Sequence, residues 1–527
     1  MRIKSWNPVR LAALAAAMLA ACAASAQSAK SVAKQLDKKE SRLEQLYADY
    51  WRLDYRSARG DKEASTLDAQ KQIRELITEP GFLKELEAAR FTTAILKRRQ
   101  RLFLEEARYT AIYTEPRLAK LVEEMSNAES EIVYPVGDKQ LKRSELNNLI
   151  GHEPDREQRR LAYMARAVND ARLGARIREG MVLRKELGAK LAGKPFVDFM
   201  LERKGVPERK RLLEIFAQLR RDTDAPYREL LERMKRELKV ETVEPWDLEY
   251  YFATLSGSFE KEKFPRERAW PRILEMAQSL GYDLRKLPVE MVIAEINFGG
   301  GTYPIVFGKE VKILVNRYEG IRFTDTLMHE SGHALHYSFD AEPSFLLKAN
   351  MSEPFDEGCG QIMALLLYRK PIAERFFGLT ADEHARIEER YRLKSLLEAR
   401  ETVAETMFEY AAYEDPQQDL GALYNRIYGE VMGVEMHAAP VWAFNPFFST
   451  GPIYIQSYLV AEMFARQVHR DLERRFGTVW DARAGRYLRE RYFSVGGRWS
   501  LDEILERGTG ERLNPKYLIE TFQPPAK

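Results

Sequence analysis

Apolar residues recur every three or four positions through most of this chain. "SVAKQLDKKESRLEQLYADYWRLDY" sets Val32, Leu36, Leu43, Leu46, Tyr47, Tyr50 and Leu53 at helical spacing among Lys, Glu and Arg. The same texture returns in "DAQKQIRELI", "REGMVLRKELGAKL" and "PERKRLLEIFAQLRRDTDAPYRELLERMKREL". Residues 31–290 are therefore predicted to be helical almost throughout, with the alternating charges as solvated faces. The pattern changes at 289–316, "VEMVIAEINFGGGTYPIVFGKEVKILVN". There β-branched residues become dense, and Gly299 to Gly301 and Gly308 punctuate two extended runs, which predicts a hairpin or small sheet. Helical texture resumes at 321 and runs to about 508. No fixed-period repeat and no Gly/Pro/Ser-rich linker divides the chain. The expected fold is mainly α, with a small β-sheet immediately before a histidine-rich helix.

The first residues read as a targeting signal. "MRIKSWNPVR" carries Arg2, Lys4 and Arg10, and "LAALAAAMLAA" follows, an apolar run too short for a permanent bilayer span. Two exits compete. "ASAQ" offers Ala24 and Ala26 in an Ala-x-Ala cleavage pattern; "LAAC" resembles a bacterial lipoprotein box, in which Cys22 is acylated and becomes the mature N-terminus. The expected organisation is a signal over 1–26 and one helical domain over 27–527, with its active core at about 290–470. The expected location is the periplasm, or the envelope through a lipid anchor on Cys22.

Composition narrows the partners. The chain has two cysteines; processing consumes Cys22, so Cys359 stands alone and no intramolecular disulfide forms. Roughly 500 residues suffice to bury about three quarters of the unfolded surface without one. A net charge of +3 with 31% charged residues balances both signs and argues against a nucleic-acid surface. No later apolar run approaches the ~20 residues of a membrane helix.

Three of the seven histidines fall in "TLMHESGHALH", residues 326–336. His329 and His333 are four apart, so on a helix both imidazoles reach one ion. Glu330 lies about 100° round the helix, off their line but within reach of a water at that ion. H-E-x-x-H is the zinc-peptidase pattern in which this Glu is the general base. Two satisfied core histidines are the alternative reading. Thr324 or Asp325 is expected to cap the helix, and Asp340, before Pro343, to end it. A metzincin would need a histidine six residues beyond His333, where Phe339 stands.

"SEPFDEGCGQIMALLLYRKP" supplies another donor. Ser352 can cap a helix, Pro354 suits its first turn, and Glu357 falls in its early turns. Gly358, Cys359 and Gly360 are small enough for two helix backbones to approach closely. Glu353, at the capping end and expected at the surface, is the rival ligand. Cys359 is expected to be a small buried residue, and His336 a neighbour rather than a ligand. Two histidines and one glutamate leave a fourth position for water on a single Zn2+ ion, with peptide hydrolysis as the reaction.

"TLMHESGHALH" resembles the active-site helix of the thimet oligopeptidase and oligopeptidase F family. "FDEGCGQ" resembles its second motif, with Glu357 as ligand and Gln361 four beyond. The angiotensin-converting-enzyme family is related. The resemblance spans about 297–365 and, more weakly, 444–466. It implies a two-lobed helical metallopeptidase shell around a deep channel that admits short unfolded peptides. It also implies that Gly300, Gly301 and Tyr303 form a strand edge for the substrate backbone. Tyr458 matches the last of the family's tyrosines that donate to the oxyanion, and Tyr454 is a second candidate. The family's downstream histidine has no counterpart: Pro446 stands there, with His437 upstream as a substitute. A peptidyl-dipeptidase resembling angiotensin-converting enzyme is the alternative activity. A non-catalytic metal-binding envelope protein is a third reading, against which the intact Glu330 argues.

Overall fold

The computed structural model describes residues 8–296 and 298–523. Helices dominate, as the periodicity predicts. In the first, Pro8–Ala58, the stripe of Val32, Leu36, Leu43 and Leu46 is buried. One continuous set of buried apolar side chains runs from Val32 to Phe522, so the helical layers share a core. Of the leader read at residues 1–26, residues 1–7 lie outside the described residues, as does the Cys22 side chain. Among the described residues no helix is long and apolar enough to cross a membrane.

Strands are few. β1 (Tyr134–Val136) and β2 (Lys139–Leu141) form a hairpin that turns at Gly137, whose φ is +58°. Periodicity predicts helix there, because three-residue strands are too short to show a period of two. The larger sheet has three strands where two runs were expected: β3 (Val289–Ala294), β4 (Gly300–Val306) and β5 (Glu310–Asn316). Its order is β3-β5-β4, with β3 parallel and β4 antiparallel to the central β5. β4 is thus an edge strand, paired from Gly300↔Val315 to Tyr303↔Lys312.

Alternation along β5 sorts its neighbours. Val311, Ile313 and Val315 belong to the main core, with Phe323 and Leu327 of the helix Ile321–Phe339. Leu314 points the other way, into a small cluster with Ile305 and with Tyr55 near the end of the first helix. The sheet is therefore clasped between the first helix and the helix that carries the histidines.

That histidine helix begins earlier than its capping residues suggest. Its N-cap is Gly320, at φ +70°, and it opens at Ile321. The left-handed glycine turns the chain into the helix at little cost for lack of a Cβ. Thr324 is buried in the first turns, and Asp325 accepts a hydrogen bond from the Tyr368 hydroxyl at 3.1 Å, so neither caps. The end is as expected, with Asp340 at the C-cap.

Candidate active site

The helix Ile321–Phe339 crosses the helix Glu353–Ala364, whose N-cap is Ser352, with Pro354 in the first turn. Glycines set the closeness of the crossing. A Cβ on Gly332 would overlap the Cys359 carbonyl and lie 2.7 Å from the Gly360 Cα; one on Gly360 would lie 2.6 Å from His329 Cε1. Gly358 faces Phe464 of a third helix, Gln456–Phe476. The expected small-residue contact is present, and Cys359 is buried within it.

Through this contact His329, His333 and Glu357 converge: one donor atom from each lies within 4.8 Å of the others. His329 Nε2 is 3.1 Å from His333 Nε2 and 3.4 Å from Glu357 Oε2. His333 Nδ1 lies 3.1 Å from Asp356 Oδ1, and Asp356 Oδ2 accepts from the Tyr337 hydroxyl at 2.8 Å. A carboxylate at Nδ1 keeps the proton on that nitrogen and turns the Nε2 lone pair to the centre, the usual support of a metal-bound imidazole. Burial opposes a positive charge on His333, yet Asp356, Glu330 and Glu357 outweigh it and raise the ring to about 10. Burial works against the Glu357 carboxylate too, and His329 and His333 hold it below the usual range. A buried centre of lone pairs and carboxylates that favours positive charge fits a divalent cation. Asp356 was not singled out in the sequence; its only signal is its place beside Glu357.

Glu330 is 6% exposed. Thr302 of β4 has its hydroxyl 2.7 Å from Glu330 Oε2 and 3.0 Å from the Glu330 carbonyl. Gly300, two residues earlier on the same face, packs so closely that a Cβ would lie 3.1 Å from Glu330 Oε1. The edge strand thus runs directly beside the carboxylate.

Comparison with known proteins adds to this. The model of peptidase family M3 matches residues 149–281, ahead of the histidine helix. No curated protein sequence matches the chain. Among solved structures, the M32 carboxypeptidase from Deinococcus radiodurans R1 superposes with a TM-score of 0.66 over 93% of this chain and 97% of that one, at 14% identity. The fold is shared across nearly the whole length.

The chain resembles peptidase family M3 over residues 149–281 and shares its fold with an M32 carboxypeptidase.

The other residues expected at the site fall around the same centre or away from it. Tyr454 donates its hydroxyl to Glu357 Oε1 at 3.0 Å. Its ring stacks on Phe447, with centroids 5.3 Å apart and planes 6° from parallel, and the Lys204 ammonium lies 4.5 Å from the ring centroid. Tyr458 is 43% exposed, its ring 5.3 Å from that of Tyr454, and burial and Glu357 push its phenol up to about 12. Glu353 is not the surface residue expected: half-buried, it is held by Lys204 at 2.7 Å. Tyr303 and Gly301 point away from Thr302, and the Tyr303 ring packs on Tyr55. His336 rests on Met351 Sδ and Phe355, outside the ligand group; burial lowers it to about 4, which keeps it neutral. His437 lies 2.6 Å from Glu244 and stacks on Trp246, so it does not stand in for the family's histidine. Pro446 opens a short 3-10 turn.

Proposed function

We propose that this chain is a zinc-dependent metallopeptidase that cleaves short, unfolded peptides, with His329, His333 and Glu357 as ligands and Glu330 as general base. The observation that carries the reading is the convergence of those three donors beside a buried carboxylate that the edge strand touches. A zinc ion held there supplies Lewis acidity, which lowers the pKa of a bound water towards neutral and polarises a peptide carbonyl. Glu330 takes the attacking water's proton on its carboxylate and passes it to the departing amine. Thr302 keeps that carboxylate aimed. The Tyr454 hydroxyl is committed to Glu357, so donation to the oxyanion falls to the more open Tyr458. The free edge of β4 offers its backbone to an extended substrate. The deep channel that the family resemblance implies would restrict entry to unfolded chains. Export through the leader delivers the enzyme to the periplasm, either free or held to the envelope by acylation at Cys22; lipid labelling of wild type against Cys22→Ala separates the two.

Zinc content and hydrolysis of a quenched peptide, compared between wild type and Glu330→Gln, test the mechanism. Retained zinc with turnover lowered by about 10² or more is expected; unchanged turnover overturns it.

A second reading, removal of residues from the C-terminal end, is favoured by the likeness in fold to a carboxypeptidase. Such an enzyme needs a cation for the terminal carboxylate. Peptides amidated at the C-terminus separate the two: sustained cleavage supports the endopeptidase, and lost cleavage the exopeptidase.

A further inference from the structure

Tyr454 reaches Glu357 from an irregular segment that precedes the helix Gln456–Phe476. The residue before it, Ile453, has φ +58°. A β-branched side chain in the left-handed region is a strained outlier, and such strain persists only where surrounding contacts impose it. Those contacts are present and buried. The Ile453 N–H donates to Glu409 Oε1 at 2.9 Å, and its carbonyl accepts from the Gln456 side-chain amide at 2.7 Å. Ile453, Glu409 and Gln456 are all fully buried. Glu409 lies on the helix Ala381–Glu414, and its other oxygen has no partner among the described residues. The buried Arg184 ties down the same segment, donating to the Ser449 carbonyl at 2.7 Å.

We propose that Glu409 is a positioning residue for the metal centre: by holding the Ile453 N–H it fixes the left-handed turn that carries Tyr454 onto Glu357. This rests on the reading of Glu357 as a ligand. The chain of contact runs from Glu409 to the Ile453 backbone, to the next residue's hydroxyl, to the ligand carboxylate. Groups that orient a ligand change metal affinity by about 10–100-fold when lost, and Glu409 inherits that leverage at one remove. Burial pushes its carboxyl up to about 8, so near neutral pH the protonated acid prevails and glutamine is a close mimic.

The test is zinc affinity of the full chain, measured by competition with a chromophoric chelator. Tyr454→Phe and Glu409→Met are each expected to weaken zinc about tenfold. The double variant should be no weaker than the worse single one. Glu409→Gln, which keeps the acceptor, should stay within a few-fold of wild type. Adding Ile453→Gly to Glu409→Met should recover most of the loss, since glycine adopts the turn without strain. Additive losses, or wild-type affinity in Glu409→Met, overturn the proposal. If Glu409→Met does not fold, Gln456→Leu, which frees the Ile453 carbonyl, carries the same cycle with Tyr454→Phe, and additivity there overturns it equally. His333→Ala reports on the underlying reading: zinc bound normally in that variant refutes the ligand set itself rather than the role of Glu409.

Discussion

Replacing Gly332 by alanine tests whether the metal centre depends on the closeness of two helices. A Cβ there would stand 2.7 Å from the Gly360 Cα, against about 3.4 Å where ordinary contact begins, and the Cys359 carbonyl is nearer still. The difference, 3.4 − 2.7, calls for about 0.7 Å of extra separation at the Gly360 contact alone. Both atoms are backbone, so no side chain can swing aside. Metal–ligand distances tolerate about 0.2 Å. Opening the crossing by several times that amount carries Glu357 away from His329 and His333. Overpacking of this kind also costs about 1–3 kcal/mol of stability. The assay has two readouts: zinc affinity by chelator competition and thermal unfolding of the metal-free chain. Gly332→Ala should lose zinc affinity by 100-fold or more, as expected when a ligand is displaced rather than loosened. Gly151→Ala, in a helix with nothing within 4 Å of the added carbon, is the control and should bind zinc normally. Wild-type zinc affinity in Gly332→Ala would refute the reasoning, because the ligand geometry would then not rest on this crossing.

Three further predictions follow from the surroundings of the site. Asp356→Asn should weaken zinc about 10–100-fold while the chain still folds, because it removes the charged acceptor at His333 Nδ1; isothermal titration of the metal-free protein measures it. Tyr458→Phe should keep its zinc and lower kcat about 100-fold with little change in KM, as loss of a single oxyanion donor does. Asp340 is buried with one oxygen unpartnered among the described residues, and burial raises its carboxyl to about 7. The folded state therefore prefers the protonated acid: its contribution is complete below the ordinary carboxylate pKa and is lost as pH rises through about 7. Asp340→Asn should accordingly gain melting temperature relative to wild type between pH 5 and pH 8, and a difference that stays flat with pH would remove that explanation.

Which parts of the site were legible in the sequence follows from how each residue is specified. His329, Glu330 and His333 are fixed relative to one another by a single helical turn, so their spacing alone conveys their geometry. Glu357 needed a second helix, and its signal was the run of small residues that lets the helices touch; the structure places that contact at Gly332 and Gly360. Capping chemistry pointed to the wrong start for the histidine helix. Thr324 and Asp325 have the preferred side chains, but Gly320 delivers the chain at an angle that other residues resist. Asp356, Thr302 and Glu409 were not legible at all. Each acts through a contact with a residue more than twenty positions away, and such pairings leave no periodic trace in the chain. A carboxylate beside a ligand, a threonine on a strand and a glutamate inside a long charged helix are each ordinary in sequence. Only the fold makes them a support for the imidazole, the base and the turn before Tyr454. The chemistry of the reacting groups is thus written locally, and the precision with which they are held is written in long-range packing.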